Sequence, residues 1–216
     1  MMLGIIFTGG AAPDTKIIKR ILENAGKDTL IVAADSGLDA AVRAGVKPDW
    51  IIGDMDSIEE KAFLDTFAQD RVIRHQHDKD YTDTELAFLL TQEKGCDRVW
   101  IIGGGGSTRV DHLFGIRCLF EREVFPHRWI TESADIYCID ADCKGNSQLS
   151  LNAEKEASVA VFPLGDKIWK AKSKGLKWSL DDLTWNRGFF GLSNVALDGD
   201  FSITAINGRF MVILQL

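Results

Sequence analysis

The sequence predicts an α/β fold, with an N-terminal Rossmann-like, mostly parallel sheet and its helices over residues 1–133 and a small antiparallel β-sandwich domain over 134–216. Three observations carry this expectation. Up to about residue 130, short apolar runs alternate with longer segments of helical period, the pattern of strands joined by crossover helices. Beyond about residue 133 the texture changes to short alternating stretches broken by Gly, Asn and Asp, which reads as antiparallel strands. With 216 residues the chain is long enough for two small cores.

The N-terminal strands are expected at 3–7, 30–34, 50–52, 71–74 and 98–102. Helices are expected at 14–25, 38–44 and 83–94, each ending at a glycine (Gly26, Gly45, Gly95) placed to take the left-handed conformation that closes a helix. The third helix opens with Thr82-Asp83-Thr84-Glu85, the spacing of a capping box, and its apolar face follows at Leu86, Leu89 and Leu90. In the C-terminal part, 158–162, 201–205 and 210–214 read as strands. No internal repeat or low-complexity linker marks the boundary, which rests on the change of period alone.

The bulk numbers exclude some partners. A net charge of −7 argues against a surface built to neutralise a nucleic-acid backbone. The four cysteines (Cys96, Cys118, Cys138, Cys143) form no CxxC pair and are expected as free thiols rather than zinc ligands. The sequence has no apolar run of about 18 residues, and its first seven residues lack a basic start and a cleavage site. The expectation is a cytoplasmic protein without a membrane span.

In open α/β sheets, ligands collect beyond the carboxyl ends of the strands. The unusual residues fall there: Thr8-Gly9-Gly10, Asp35-Ser36-Gly37, Gly53-Asp54-Met55-Asp56-Ser57, Asp78-Lys79-Asp80-Tyr81-Thr82-Asp83, and Gly103–Gly106 followed by Arg109-Val110-Asp111-His112. Asp54, Asp56, Asp78, Asp80 and Asp83 would crowd carboxylates that repel one another unless a cation lies between them. Mg2+ suits such hard oxygen ligands and binds through one or two carboxylates plus substrate phosphates. The plainer reading is that Asp54, Asp56 and Asp80 are turn and cap residues. Gly103–Gly106 would let backbone amides approach an anion, with Arg109 as a fixed cation. The run fits neither GxGxxG, because Thr108 stands at the third glycine, nor a Walker loop. Asp35 reads as a helix N-cap, as an acceptor for a nucleotide ribose or base, or as both. Asp111 and His112 read equally as a helix cap and a packed imidazole.

The stretches Ala34-Asp35-Ser36-Gly37, 48–57, 78–83 and 109–112 resemble the thiamine pyrophosphokinase family in order and spacing, and 175–180 and 191–194 resemble its C-terminal part. The Gly-Asp-x-Asp-Ser and Asp-Lys-Asp-x-Thr-Asp pair is the specific element. The resemblance implies a nucleotide-binding domain, a β-sandwich and a homodimer with thiamine at the shared interface. It also implies transfer of the pyrophosphoryl group of ATP to the thiamine hydroxyl, leaving AMP. By the same resemblance Asp54, Asp56 and Asp83 hold magnesium, and Asp80 joins them as a catalytic residue. Nucleotide contacts fall to Asp35, Ser36, Gly37, Ser57, Thr82, Arg109, Asp111 and His112, and thiamine contacts to Trp178, Ser193 and Asn194. A thiazolium cation suits an indole face such as Trp178, which is equally a core residue of a sandwich. The chain departs from the family pattern at Ser36, at Thr108 and in the stretch 113–116 after His112.

Three rival readings share these residues: a metal-dependent phosphoesterase using the same aspartates to activate water, a nucleotide-binding module without turnover, and an NAD-dependent oxidoreductase. The last rests on the glycine run alone.

Overall fold

The computed structural model describes residues 1–59, 61–106, 109–143 and 145–216. These fall into two units, one made of 1–119 and 124–133 and the other of 120–123 and 134–216.

The first unit runs β1 (Leu3–Thr8), α1 (Thr15–Ala25), β2 (Thr29–Ala34), α2 (Gly37–Arg43), β3 (Trp50–Gly53), α3 (Lys61–Leu64), a single 3-10 turn at Gln69–Arg71, β4 (Val72–Arg74), α4 (Asp83–Glu93), β5 (Arg98–Gly103), α5 (Val110–Leu119) and β6 (Arg128–Ile130). Its strands lie in the order β6-β5-β1-β2-β3-β4 with every neighbouring pair parallel. All six residues of β1 are buried, as a central strand covered on both faces requires. Leu3, Ile5 and Phe7 form one core with Ile18 and Ile21 of α1 and Ala40 and Ala41 of α2. On the alternate face a Cβ at Gly4 would come within 3.0 Å of Thr91 on α4, so glycine lets that helix lie close.

Local signals explain the element ends. Asp14 caps α1 through the Lys16 amide, and Gly26, Gly45 and Gly95 all have positive φ. The expected capping box is present at α4: Thr82 Oγ1 accepts from the Glu85 amide at 3.2 Å, and Glu85 Oε2 accepts from the Thr82 amide at 2.9 Å. Residues 110–119, to which the sequence pattern assigned no element, form α5. The short strand β6 was likewise not expected.

The second unit contains β7 (Ala134–Asp140), β8 (Gln148–Asn152), β9 (Ser158–Leu164), β10 (Lys170–Lys174), β11 (Gly191–Val195), β12 (Asp200–Asn207) and β13 (Arg209–Gln215). They form two antiparallel arrays, β11-β9-β13-β7 and β10-β12-β8. Val159, Val161, Phe210 and Val212 from the first share a core with Ala171, Phe201, Ile203 and Ala205 from the second, the packing of a sandwich. Trp169 and Trp185 fill the same core. The four cysteines are free thiols, and burial pushes the Cys138 thiol far up. No helix among the described residues is long and apolar enough to cross a membrane.

Candidate functional site

The carboxyl ends of β2 and β3 are neighbours, and the chain places an aspartate just beyond each. Asp35 follows β2 with φ 45°, and its backbone is held from both sides: its amide donates to Ile52 O at 2.9 Å and its carbonyl accepts from Leu38 N at 3.0 Å. A non-glycine residue in the left-handed region is strained, and such strain is retained where surrounding bonds enforce it. Asp35 does not cap α2 through its side chain. The N-cap is Ser36, which makes no side-chain cap bond either. Gly37, the first residue of α2, lies so close to β1 that a Cβ there would fall 2.2 Å from Phe7 O.

Asp54 follows Gly53 at the end of β3, and Asp83 opens α4, where the positive end of the helix dipole favours a carboxylate. Asp35, Asp54 and Asp83 each bring a carboxylate oxygen to within 4.8 Å of the others. Gly53 permits this approach, because a Cβ at 53 would lie 3.1 Å from both Asp35 Cβ and Asp83 Oδ1. A bond of 2.6 Å between the hydroxyls of Thr8 and Thr84 ties the end of β1 to the first turn of α4.

Charge in this group is only partly compensated. Lys79 Nζ lies 3.0 Å from Asp83 Oδ1 and 3.8 Å from Asp54 Oδ2, with both acids mostly covered. Asp35 Oδ1 is buried and accepts no hydrogen bond. Burial first, and then the Asp83 and Asp54 charges, hold the Asp35 carboxyl above its ordinary range, against hydrogen bonding from the Ser36 backbone and the Ser57 side chain. An orphaned buried oxygen facing two further carboxylates is the donor set a hard divalent cation takes, so the residues present fit Mg2+.

Asp54 also belongs to a second, more exposed group with Asp56 and His77. Asp56 Oδ1 accepts from Ser57 Oγ at 2.6 Å, and Asp56 Oδ2 lies 3.8 Å from His77 Nε2. The Ser57 bond is the main cause that lowers the Asp56 carboxyl below its usual range. Asp54 is therefore shared, Asp56 stands on its outer side, and Asp80 is exposed and belongs to neither group.

The fifth loop differs from its expected form. The amides of Gly104, Gly105 and Gly106 donate to Gly9 O, Ala11 O and Glu132 Oε1 at 2.9, 3.0 and 3.0 Å, so these three are already engaged within the chain. Thr108 lies outside the described residues. Arg109 makes a two-pronged pair with Asp111, at 3.1 Å from Nε and 2.8 Å from Nη2, and both side chains are well exposed. That bond brings the Asp111 carboxyl down to about 2. His112 is exposed in the first turn of α5.

In the second unit, Trp178 presents an indole that is 53% exposed, with Lys177 Nζ 4.7 Å from the ring centroid. Asn194 is buried. Its Oδ1 accepts from the Trp178 amide at 3.1 Å and its Nδ2 donates to the Trp178 carbonyl at 2.7 Å, so it fixes the backbone under the indole. Ser193 is exposed with φ 60°.

Two residues escaped the sequence reading of roles. Lys79 stood inside the motif without an assigned part, although its four-residue spacing from Asp83 was visible. His77 carried no signal beyond its place next to the acidic loop.

Residues 21–124 match the family described as thiamin pyrophosphokinase, catalytic domain. The chain is 25% identical over 174 residues to thiamine pyrophosphokinase 1 of Oryza sativa subsp. japonica, an alignment covering 76% of this chain and 65% of the rice protein. The chain thus spans about two-thirds of that relative's length. Among solved structures, thiamine pyrophosphokinase from Bacillus subtilis superposes with a TM-score of 0.77 at 22% identity, over 100% of this chain and 99% of that one. The Geobacillus thermodenitrificans protein gives 0.72 at 21%, over 100% and 98%. At these identities the likeness establishes a shared fold.

Proposed function

We infer, from the membership of residues 21–124 in the thiamin pyrophosphokinase catalytic-domain family, that the chain transfers the pyrophosphoryl group of ATP to the hydroxyl of thiamine, yielding thiamine diphosphate and AMP. The observation that carries this reading is the convergence of Asp35, Asp54 and Asp83 within 4.8 Å around a buried oxygen with no hydrogen-bond partner. Such a set of acids is stable only with positive charge among them, which is what a metal-bound polyphosphate requires of its site.

In this reading Asp54 and Asp83, with Asp56 on the outer side, hold Mg2+, which when bound neutralises phosphate charge and polarises the transferred phosphorus. Asp35 adds a carboxylate on the inner side. Thr82 and the first turn of α4 keep Asp83 in place, while Ser36, Gly37 and Ser57 line the neighbouring strand ends where a nucleotide would lie. Arg109, Asp111 and His112 contact the phosphate path once the Arg109–Asp111 pair opens. Asp56 or Asp80, both exposed, takes the proton of the attacking hydroxyl. In the second unit Trp178 covers the thiazolium ring through cation–π attraction, Ser193 hydrogen-bonds the pyrimidine, and Asn194 acts by holding Trp178. The unit of function is a cytoplasmic homodimer, which sedimentation equilibrium would test.

Product analysis with ATP, Mg2+ and thiamine checks the reaction. AMP and thiamine diphosphate should appear in equal amounts and only when thiamine is supplied. Inorganic phosphate released without an acceptor would instead favour the phosphoesterase.

A further inference from the structure

Among the described residues Lys79 is the cation that stands inside the group of Asp35, Asp54 and Asp83, and neither the carboxylates nor the family match explains why it is there. Its side chain is 15% exposed, and its ammonium touches both Asp54 and Asp83, at 3.8 and 3.0 Å. Those are two of the three acids that converge within 4.8 Å. Despite the 3.0 Å approach, Asp83 Oδ1 accepts no directed hydrogen bond, so charge alone holds the ammonium. A compact point charge on a four-carbon stem, held without directional bonds, is free to move. A divalent ion entering between the same two carboxylates would meet a like charge in partly desolvated surroundings, and the two cannot share the place.

We propose that Lys79 is a resident counter-cation: it holds Asp54 and Asp83 together before metal arrives, is displaced when a divalent ion binds, and then offers its ammonium to a phosphate oxygen of the nucleotide. This rests on the reading of the site as a metal-dependent phosphoryl-transfer centre. It has two consequences of opposite sign. Without the ammonium, metal binding to the nucleotide-free protein strengthens because a competitor is gone. Nucleotide binding weakens because a phosphate partner is lost. A purely structural lysine would weaken both.

The test is titration of Mn2+ into nucleotide-free protein, followed by calorimetry, for the wild type, Lys79→Gln and Lys79→Arg, with Asp54→Asn as the control that abolishes binding. Lys79→Gln should bind Mn2+ about three- to tenfold more tightly, the scale expected on removing one partly screened charge, while Lys79→Arg stays near the wild type. In steady-state assays the KM for ATP should rise in Lys79→Gln and recover in Lys79→Arg. Lys79→Met, which keeps the apolar stem, serves in place of the Gln variant if that one does not fold. Equal or weaker Mn2+ binding in the neutral variants, or no Mn2+ binding by any of the proteins, overturns the proposal. Absence of AMP formation by the wild type would overturn the reaction and not this, since the Mn2+ comparison decides on Lys79 by itself.

Discussion

Two of the groups in which a partly buried acid meets a cation are built in opposite ways. In the second unit, Asp140 Oδ2 accepts from Arg209 Nε at 2.7 Å, Asp140 Oδ1 accepts from the Asp142 amide at 2.9 Å, and Arg209 Nη1 also donates to the carbonyls of Phe120 and Arg122. Both oxygens of that carboxylate accept a hydrogen bond, and the arginine ties residues 120–123 to the sandwich. In the first unit Lys79 lies against two carboxylates, Asp54 and Asp83, while one oxygen of Asp35 accepts nothing, and two nearby residues, Asp35 and Met55, have positive φ. The difference is between a closed network, whose acid is fully paired, and an open one, which leaves buried carboxylate oxygens of Asp35 and Asp83 without a hydrogen bond.

Breaking each network should therefore fail differently. Asp54→Asn removes the acid shared by both groups at the strand ends. Diphosphotransfer should fall by at least about a hundredfold, as for loss of a charge aimed at the reacting phosphate, with the thermal midpoint unchanged or higher. An active variant, assayed by AMP release, would remove Asp54 from the chemistry. Arg209→Ala should do the reverse: it leaves Asp140 buried without its cation, at a cost of about 3–5 kcal/mol in chemical denaturation, while the folded fraction keeps its turnover. A loss of turnover in the fully folded variant would show that the closed network also serves the site.

Smaller effects sharpen the same contrast. Thr82→Ala removes the cap that positions Asp83 and should cost about 1 kcal/mol in the ligand-free protein, with Thr82→Ser restoring most of it. Equal stability in all three would mean the capping box contributes nothing. The smallest effect concerns Asp35, whose raised carboxyl has a definite sign. The folded state holds this proton more tightly than the unfolded chain, so stability is full below the ordinary aspartate value of 3.8 and declines as pH rises through the folded value. Asp35→Asn should thus raise the melting temperature at neutral pH by about 2 °C, lose that gain in acid, and respond less than the wild type to added Mg2+. A lower melting temperature at neutral pH would show that the ionised acid is already compensated.

The parallel sheet was legible because its strands are apolar runs closed off by helices with clear stops. Gly26, Gly45 and Gly95 all took positive φ, as a glycine at a helix end permits. Helix α5 was not legible, since Gly115 interrupts its interior and Val110 and Phe114 are exposed rather than part of a buried stripe. The acidic site was half legible. Spacing within the motifs pointed to Asp54 and Asp83, but the membership of Asp35 depends on β2 and β3 being neighbours, a property of strand order that no local pattern encodes. The glycine run misled for a related reason: its amides are taken by Gly9, Ala11 and Glu132, residues distant in sequence.

The bare Cα of Gly53 sets the bore of the acidic ring. Adding one methyl there would press on Asp35 and Asp83 together, widening the gap that a small ion must span. On the proposed reading of this group as a metal site, a ring stretched in this way would prefer larger ions over smaller ones, and the hydrogen atom at position 53 would act as a calibre for the ion.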